Sequence, residues 1–261
     1  MIIKNIRGPV GKWLYMDKKR RVTRKNRDDI HDFLAMIQGV AEILEAHELL
    51  FPTKVTLSHW ITYQSQLDTT SPVEEESDAY VTISRNEGAQ GIVSRCEETL
   101  RHREQARSVL YPRDIDVVGT GIVFDAYGQR QELPDVIWLT CYTLTHYAVE
   151  VVTQSDAWMP YTLRADPQEE VFLQNAPRLE LALQEIARWL GVEPIIDTSN
   201  YAVMEGYYLD NYRDLNGDPE PAYLGDDDEY VRTVDSYDPE HALSDPSKNR
   251  IGDTQTVAHR S

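Results

Sequence analysis

Cysteine is scarce. Cys96 and Cys141 are the only two in 261 residues, too few for the disulfide framework of a small secreted domain, and they are expected as buried thiols. No apolar run approaches the roughly 20 residues that a membrane-spanning helix needs. The opening Met-Ile-Ile-Lys-Asn-Ile-Arg has neither the apolar core nor the small-residue cleavage site of a secretion signal. These absences point to a cytoplasmic protein without a membrane partner. Catalytic signatures are missing too. His47-Glu48 runs into Leu49, Leu50 and Phe51, so the second histidine of a zinc helix is absent. There is no Cys-x-x-Cys, no Walker A sequence and no Gly-x-Ser-x-Gly elbow, and Gly119-Thr120-Gly121 leads to Phe124 instead of a dinucleotide loop. The seven histidines are scattered without metal spacing, and His59 and His146, both in strand-like segments, read as hydrogen-bonded structural residues. No cofactor or metal is expected.

Charge is distributed unevenly along the chain. Residues 1–30 hold ten Lys/Arg against three acids, a net of +7; the whole chain is −18, which leaves −25 for residues 31–261. The densest stretch, 197–240, has thirteen acids against Arg213 and Arg232, a net of −11. Such a surface attracts basic protein faces and repels nucleic-acid phosphates and anionic lipid. The basic run Lys18–Arg27 reads as a solvated turn docked on the acidic half, with nucleic-acid contact as its functional alternative.

With 41% apolar and 27% charged residues, the chain has the composition of a folded protein. After a short opening strand, Ile30, Phe33, Leu34, Ile37, Ala41 and Leu44 follow the helical i, i+3, i+4, i+7 spacing from Asp28 onward, and the helix must end before Pro52. Val55 to Tyr63 alternates as a half-buried strand, and 68–78 is a polar loop before a second strand at Tyr80–Ser84. A charged helix is expected over 89–108. Ile115–Phe124, Val136–Leu144 and Tyr147–Thr153 are strands, the first two joined through a Gly- and Pro-bearing hairpin. Pro177–Leu190 reads as a helix, with Asn175 as its cap and Gly191 as its stop. The expectation is an α+β fold: an antiparallel sheet, packed amphipathic helices and an acidic C-terminal extension. Its divisions are 1–200 as one domain, 201–237 as a Tyr-rich acidic extension packed on it, and 238–261 as a disordered tail.

Ser155-Asp156-Ala157-Trp158-Met159-Pro160-Tyr161, followed by Asn175-Ala176-Pro177-Arg178-Leu179, resembles a group of acidic bacterial proteins in which a strand pair leads into a Ser-Asp-Ala-Trp turn and a closing helix. The resemblance covers about residues 135–205 and implies a fold, with no activity attached. Trp158 is expected to anchor the turn in the core and Asp156 to cap it.

Three acidic arrangements suggest chemistry. Asp214-Leu215-Asn216-Gly217-Asp218 alternates oxygen ligands as a Ca²⁺ loop does, but neither alignment to an EF-hand keeps both the turn glycine and the bidentate Glu, so an Asp-Asn-Gly turn is the plainer reading. Asp114 and Asp116 enter an apolar strand where nucleotidyltransferases place two Mg²⁺-binding carboxylates, though the upstream Gly-Ser pair is missing. Glu150 with Asp135 imitates a nuclease core, yet Val152 stands where its lysine belongs. The feature with most weight is Asp226-Asp227-Asp228-Glu229 between Tyr223 and Tyr230. Carboxylates there pair with Lys/Arg while the rings add buried area at low entropic cost. The chain therefore reads as a non-enzymatic protein-binding protein, of the immunity or inhibitor kind, that occludes a basic partner such as a nuclease toxin. The alternative is a metal-dependent nucleotidyl- or phosphoryl-transfer enzyme using Asp114 and Asp116.

Overall fold

Alternation of apolar and polar residues sets the architecture. The computed structural model describes residues 3–5, 8–21, 27–63, 74–103, 108–143, 146–196, 199–222 and 231–233. Strands β1 (Ile3–Asn5) and β2 (Gly11–Arg21) precede helix α1 (Arg27–Ala46); β3 (Phe51–Tyr63) and β4 (Glu74–Thr82) precede α2 (Gly91–Arg103). Then come β5 (Ser108–Phe124), β6 (Arg130–Pro134), β7 (Ile137–Thr143), β8 (His146–Thr153) and α3 (Glu169–Leu190). Four short strands close the order: β9 (Ile195–Ile196), β10 (Val203–Glu205), β11 (Tyr208–Asp210) and β12 (Val231–Thr233).

One antiparallel sheet runs β4-β3-β5-β7-β8-β2-β9, with β6 also on β5. Its register aligns two rows of apolar residues across the strands. Val81, Val55, Val117, Leu139, Val151 and Trp13 form one; Ala79, Leu57, Ile115, Cys141, Val149 and Tyr15 form the other. All are buried, in one cluster with Phe33, Leu34, Ile37 and Leu44 of α1, Ile92 and Cys96 of α2, and Leu179, Leu183 and Ile186 of α3. The helices therefore cover this face, and a strand slipped by one residue would turn its apolar set away from them. The fold is α+β. At Gly119 β3 and β5 approach so closely that a Cβ would lie 1.9 Å from the Phe51 carbonyl oxygen, which only glycine permits.

The structure moves several boundaries. β5 begins at Ser108, so Asp114 and Asp116 lie in mid-strand and not at its entrance. The Lys18–Arg21 part of the basic run continues β2 and makes no turn; residues 22–26 lie outside the described residues. The largest shift is α3, which starts at Glu169 and carries Pro177 inside it. Asn175 is no cap: it is buried, with its amide turned to the end of β5. Pro177 lacks an N–H for the Leu173 carbonyl, and Leu173 is exposed, where water can serve that oxygen. Gly191, at φ 68°, ends the helix as expected.

The Ser-Asp-Ala-Trp turn sits under this helix. Trp158 is buried with its indole N–H donated to Thr153 Oγ1 at 2.7 Å, and Asp156 Oδ2 accepts the Leu163 N–H at 3.0 Å. Anchor and cap are thus realised in the residues that the sequence marked.

Candidate functional site

Of the carboxylates on the outside of this body, two groups bear on the acids that the sequence singled out, and their surroundings separate them. The first is on the face of the sheet turned away from the helices. Register places Asp78, Ser58, Asp114, Tyr142 and Ala148 in one row, and Tyr80, Thr56, Asp116, Thr140, Glu150 and Leu14 in the next. Each carboxylate has a partner from the same body. Arg113, the extra residue of a β-bulge opposite Ser58 and His59, bonds Asp114 at 2.6 Å. Lys12 pairs with Glu150 at 2.9 Å, Thr140 donates to Asp116 at 2.7 Å, and Ser58 donates to Asp78 at 2.7 Å. Burial pushes the Asp116 carboxyl up; the Thr140 bond pulls it down, and the Asp114 and Asp78 charges add to the rise. Burial, then the Glu150 carboxylate, also pushes the Tyr142 phenol up. Asp114 and Asp116 do share a face, as two metal ligands would, but among the described residues no group of three or more His, Cys, Asp or Glu is placed to hold an ion. Glu150 lies opposite Thr140, whereas Asp135 sits at the break between β6 and β7, its N–H donated to the Gly119 carbonyl.

The second group belongs to residues 199–222. This segment has five acids, Glu205, Asp210, Asp214, Asp218 and Glu220, against Arg213 alone. Glu205, Asp218 and Glu220 are exposed, and so are Tyr208, Tyr212 and Leu215. The backbone beneath them is firmly held. Asn211 is buried; its Oδ1 accepts the Tyr161 N–H at 3.0 Å and its Nδ2 donates to the Tyr161 and Thr162 carbonyls. The Trp13 indole donates to the Gly206 carbonyl at 2.9 Å, and Tyr212 donates its hydroxyl to the Ser199 carbonyl at 2.6 Å. Phe172 of α3 meets the Tyr208 ring edge-on at 5.9 Å. Leu209 and Ala202 are buried in the core cluster. Between β10 and β11, Gly206 takes φ 61° at the first position of a two-residue turn, where a side chain would be strained.

Within this segment the Asp214–Asp218 stretch is a turn closed on itself. Asp214 Oδ1 accepts the N–H groups of Asn216 and Asp218 at 2.8 and 2.9 Å, and Gly217 supplies φ 87°. Those backbone bonds, with Asp218's first, hold the Asp214 carboxyl below the usual range. Among the described residues, Asp210 is the one acid of this segment with a cation close by, Arg213 at 3.5 Å. Glu193 accepts from Tyr207, whose phenol is raised to about 12, first by burial and then by that carboxylate.

The run Tyr223, Asp226, Asp227, Asp228, Glu229 and Tyr230 lies outside the described residues, as does the 238–261 stretch. The acidic, tyrosine-bearing character of the chain nevertheless begins in the described segment immediately before it. Sequence reasoning passed over the residues that fix this segment, because Trp13, Tyr161 and Phe172 come from distant parts of the chain. Its one usable signal was the recurrence of Tyr201, Tyr207, Tyr208 and Tyr212, too many rings for a purely solvating loop. Among the described residues no helix is long and apolar enough to cross a membrane. No protein-family model, curated protein or solved structure matches this chain.

Proposed function

We propose that this chain is a non-enzymatic binding protein of the immunity or inhibitor kind, which covers a cationic groove on a basic partner with the acidic face of its C-terminal extension. One observation carries the reading: in residues 199–222, exposed Glu205, Asp218 and Glu220 stand with exposed Tyr208 and Tyr212 on a backbone clasped by Asn211 and Trp13. Carboxylates held on a clasped backbone, with no cation of the described residues paired to them, speed encounter with a basic surface, and rings already in place lose little entropy on burial. The sheet-face acids serve this role less well, since Arg113 and Lys12 already occupy two of them. The acidic run 226–229, bracketed by Tyr223 and Tyr230, adds to the same demand for a cationic counterpart. A toxin nuclease, whose own groove must be basic to hold phosphates, is the type of partner that this chemistry fits.

Co-purification of the tagged full chain from its host at low salt tests this, followed by association kinetics with the recovered basic protein. Reversing Glu205, Asp218 and Glu220 to lysine is expected to slow association about tenfold or more while dissociation changes little. Recovery of no basic partner, or an unchanged association rate, overturns the reading.

A further inference from the structure

Helix α1 has a second face, turned from the sheet. Along it His31, Ala35, Gly39, Glu42 and Ala46 recur every three or four residues and so fall on one line. At 1.5 Å per residue that line is about 22 Å long, some four turns. Val93 of α2 stands on one side of it and Glu185 and Trp189 of α3 on the other, bounding an open trough of about 560 Å³. At Gly39 the Trp189 indole takes the place of a side chain: a Cβ there would come within 2.4 Å of the ring. Trp189 leans on that glycine yet remains 51% exposed, a large apolar surface left uncovered beside the floor.

The charge of the trough has one sign. Glu42 and Glu185 line it with His31, and none of the described lining residues is Lys or Arg. The carboxylates are held in place, Glu185 by His47 at 3.0 Å and Glu42 by the Gln38 amide at 2.9 Å. Glu97, bonded to His31 at 2.8 Å, extends the acidic rim along α2. The trough is walled by helices and offers no strand edge on which an extended peptide could pair its backbone, whereas a helix satisfies its own. Small floor residues let a second helix come within the usual 8–10 Å axis spacing.

We infer that this trough receives a basic amphipathic helix of a partner protein. Its apolar stripe lies on Ala35 and the exposed Trp189 ring, and its lysines or arginines meet Glu42 and Glu185. The surface is separate from the face on the extension and does not depend on it.

The test uses the full chain and three labelled peptides of about 18 residues. One is a Leu/Lys sequence with helical periodicity, one replaces Lys by Glu, and one scrambles the Leu/Lys order. The periodic Leu/Lys peptide should bind and shift Trp189 emission to the blue, a shift lost in Trp189→Phe. Ala35→Arg, an exposed helix position that stays helical by circular dichroism, should weaken binding about tenfold or more, as should Glu42→Arg. The triple lysine variant of the extension should bind the peptide as the parent does. Equal binding by Ala35→Arg, or by the Leu/Glu or scrambled peptide, overturns the inference. Concentration-dependent self-association of the chain that Ala35→Arg abolishes would make a second copy the occupant, and this too overturns it.

Discussion

Asn175, in the body of α3, brackets Phe124 at the end of β5. Its Oδ1 accepts the Phe124 N–H at 2.9 Å while its Nδ2 donates to the Phe124 carbonyl at 2.8 Å. One side chain thus does for the end of β5 what a neighbouring strand does elsewhere, and it pins the helix to the sheet. Arg178, one turn on, adds bonds to the Ile122 and His47 carbonyls at 3.0 and 2.8 Å. Replacing Asn175 by Ala leaves both Phe124 groups unpaired, at a cost of about 2–4 kcal/mol. Urea unfolding measures it; a loss under about 1 kcal/mol would mean that water replaces the amide.

Thr153 is the second such junction. Its hydroxyl accepts the Trp158 indole N–H and the Ser155 N–H and donates to the Val136 carbonyl. Thr153→Val keeps the shape and removes all three bonds. The expected loss is about 2–4 kcal/mol, with Thr153→Ser retaining most of the parent's stability. Equal stability of the Val and Ser variants in the same urea titration would contradict this.

Acid should act at the entrance to α2. Arg95, then Ser84, hold the Glu87 carboxyl at about 2, below its ordinary 4.5. The folded value is the lower one, so this contribution is complete above about pH 4.5 and disappears as pH falls through about 2. Glu87→Gln removes it. The variant's urea midpoint should fall below the parent's at about pH 6, and the two should converge toward about pH 2. A gap that stays constant over that range would assign the loss to something other than this ionisation.

The clasp on the extension can be read by proteolysis. Arg213 is the only Lys or Arg in residues 199–222, so trypsin has one place to cut there. Asn211→Ala removes the bonds to Tyr161 and Thr162 and should speed cleavage at Arg213 by about tenfold or more, since local opening limits the cut. Cleavage as slow as the parent's would show that Trp13 and Tyr212 hold the segment without it.

Much of this was legible from local pattern. The period of 3.6 residues located α1, the period of two located β3, the Val, Ile and Thr content marked β5, and together they set the antiparallel α+β fold. Asp156 and Trp158 were assigned their parts from residue type alone: a short carboxylate at a turn caps it, and an indole in an apolar context is buried with its N–H bonded. The start of α3 was misread for an equally local reason. Asn two residues before Pro is a common helix beginning, but this Asn satisfies β5, more than fifty residues away in the chain, and the buried contacts of Val171 and Asn175 extend the helix backward past the proline.

Charge distribution was also settled by the sequence, which puts a strong negative excess in the later part of the chain whatever its fold. Only the tertiary structure decided which acids remain available. Glu150 lies against Lys12 because strand pairing brings it there, and Asp114 is bonded by its chain neighbour Arg113 at a β-bulge, while Glu205, Asp218 and Glu220 are lifted onto an exposed, clasped segment. The trough on α1 has the same origin: small residues along one helix become a recess only when α2 and α3 rise on either side. Composition adds up along a chain, but neutralisation and shape depend on which residues folding makes neighbours.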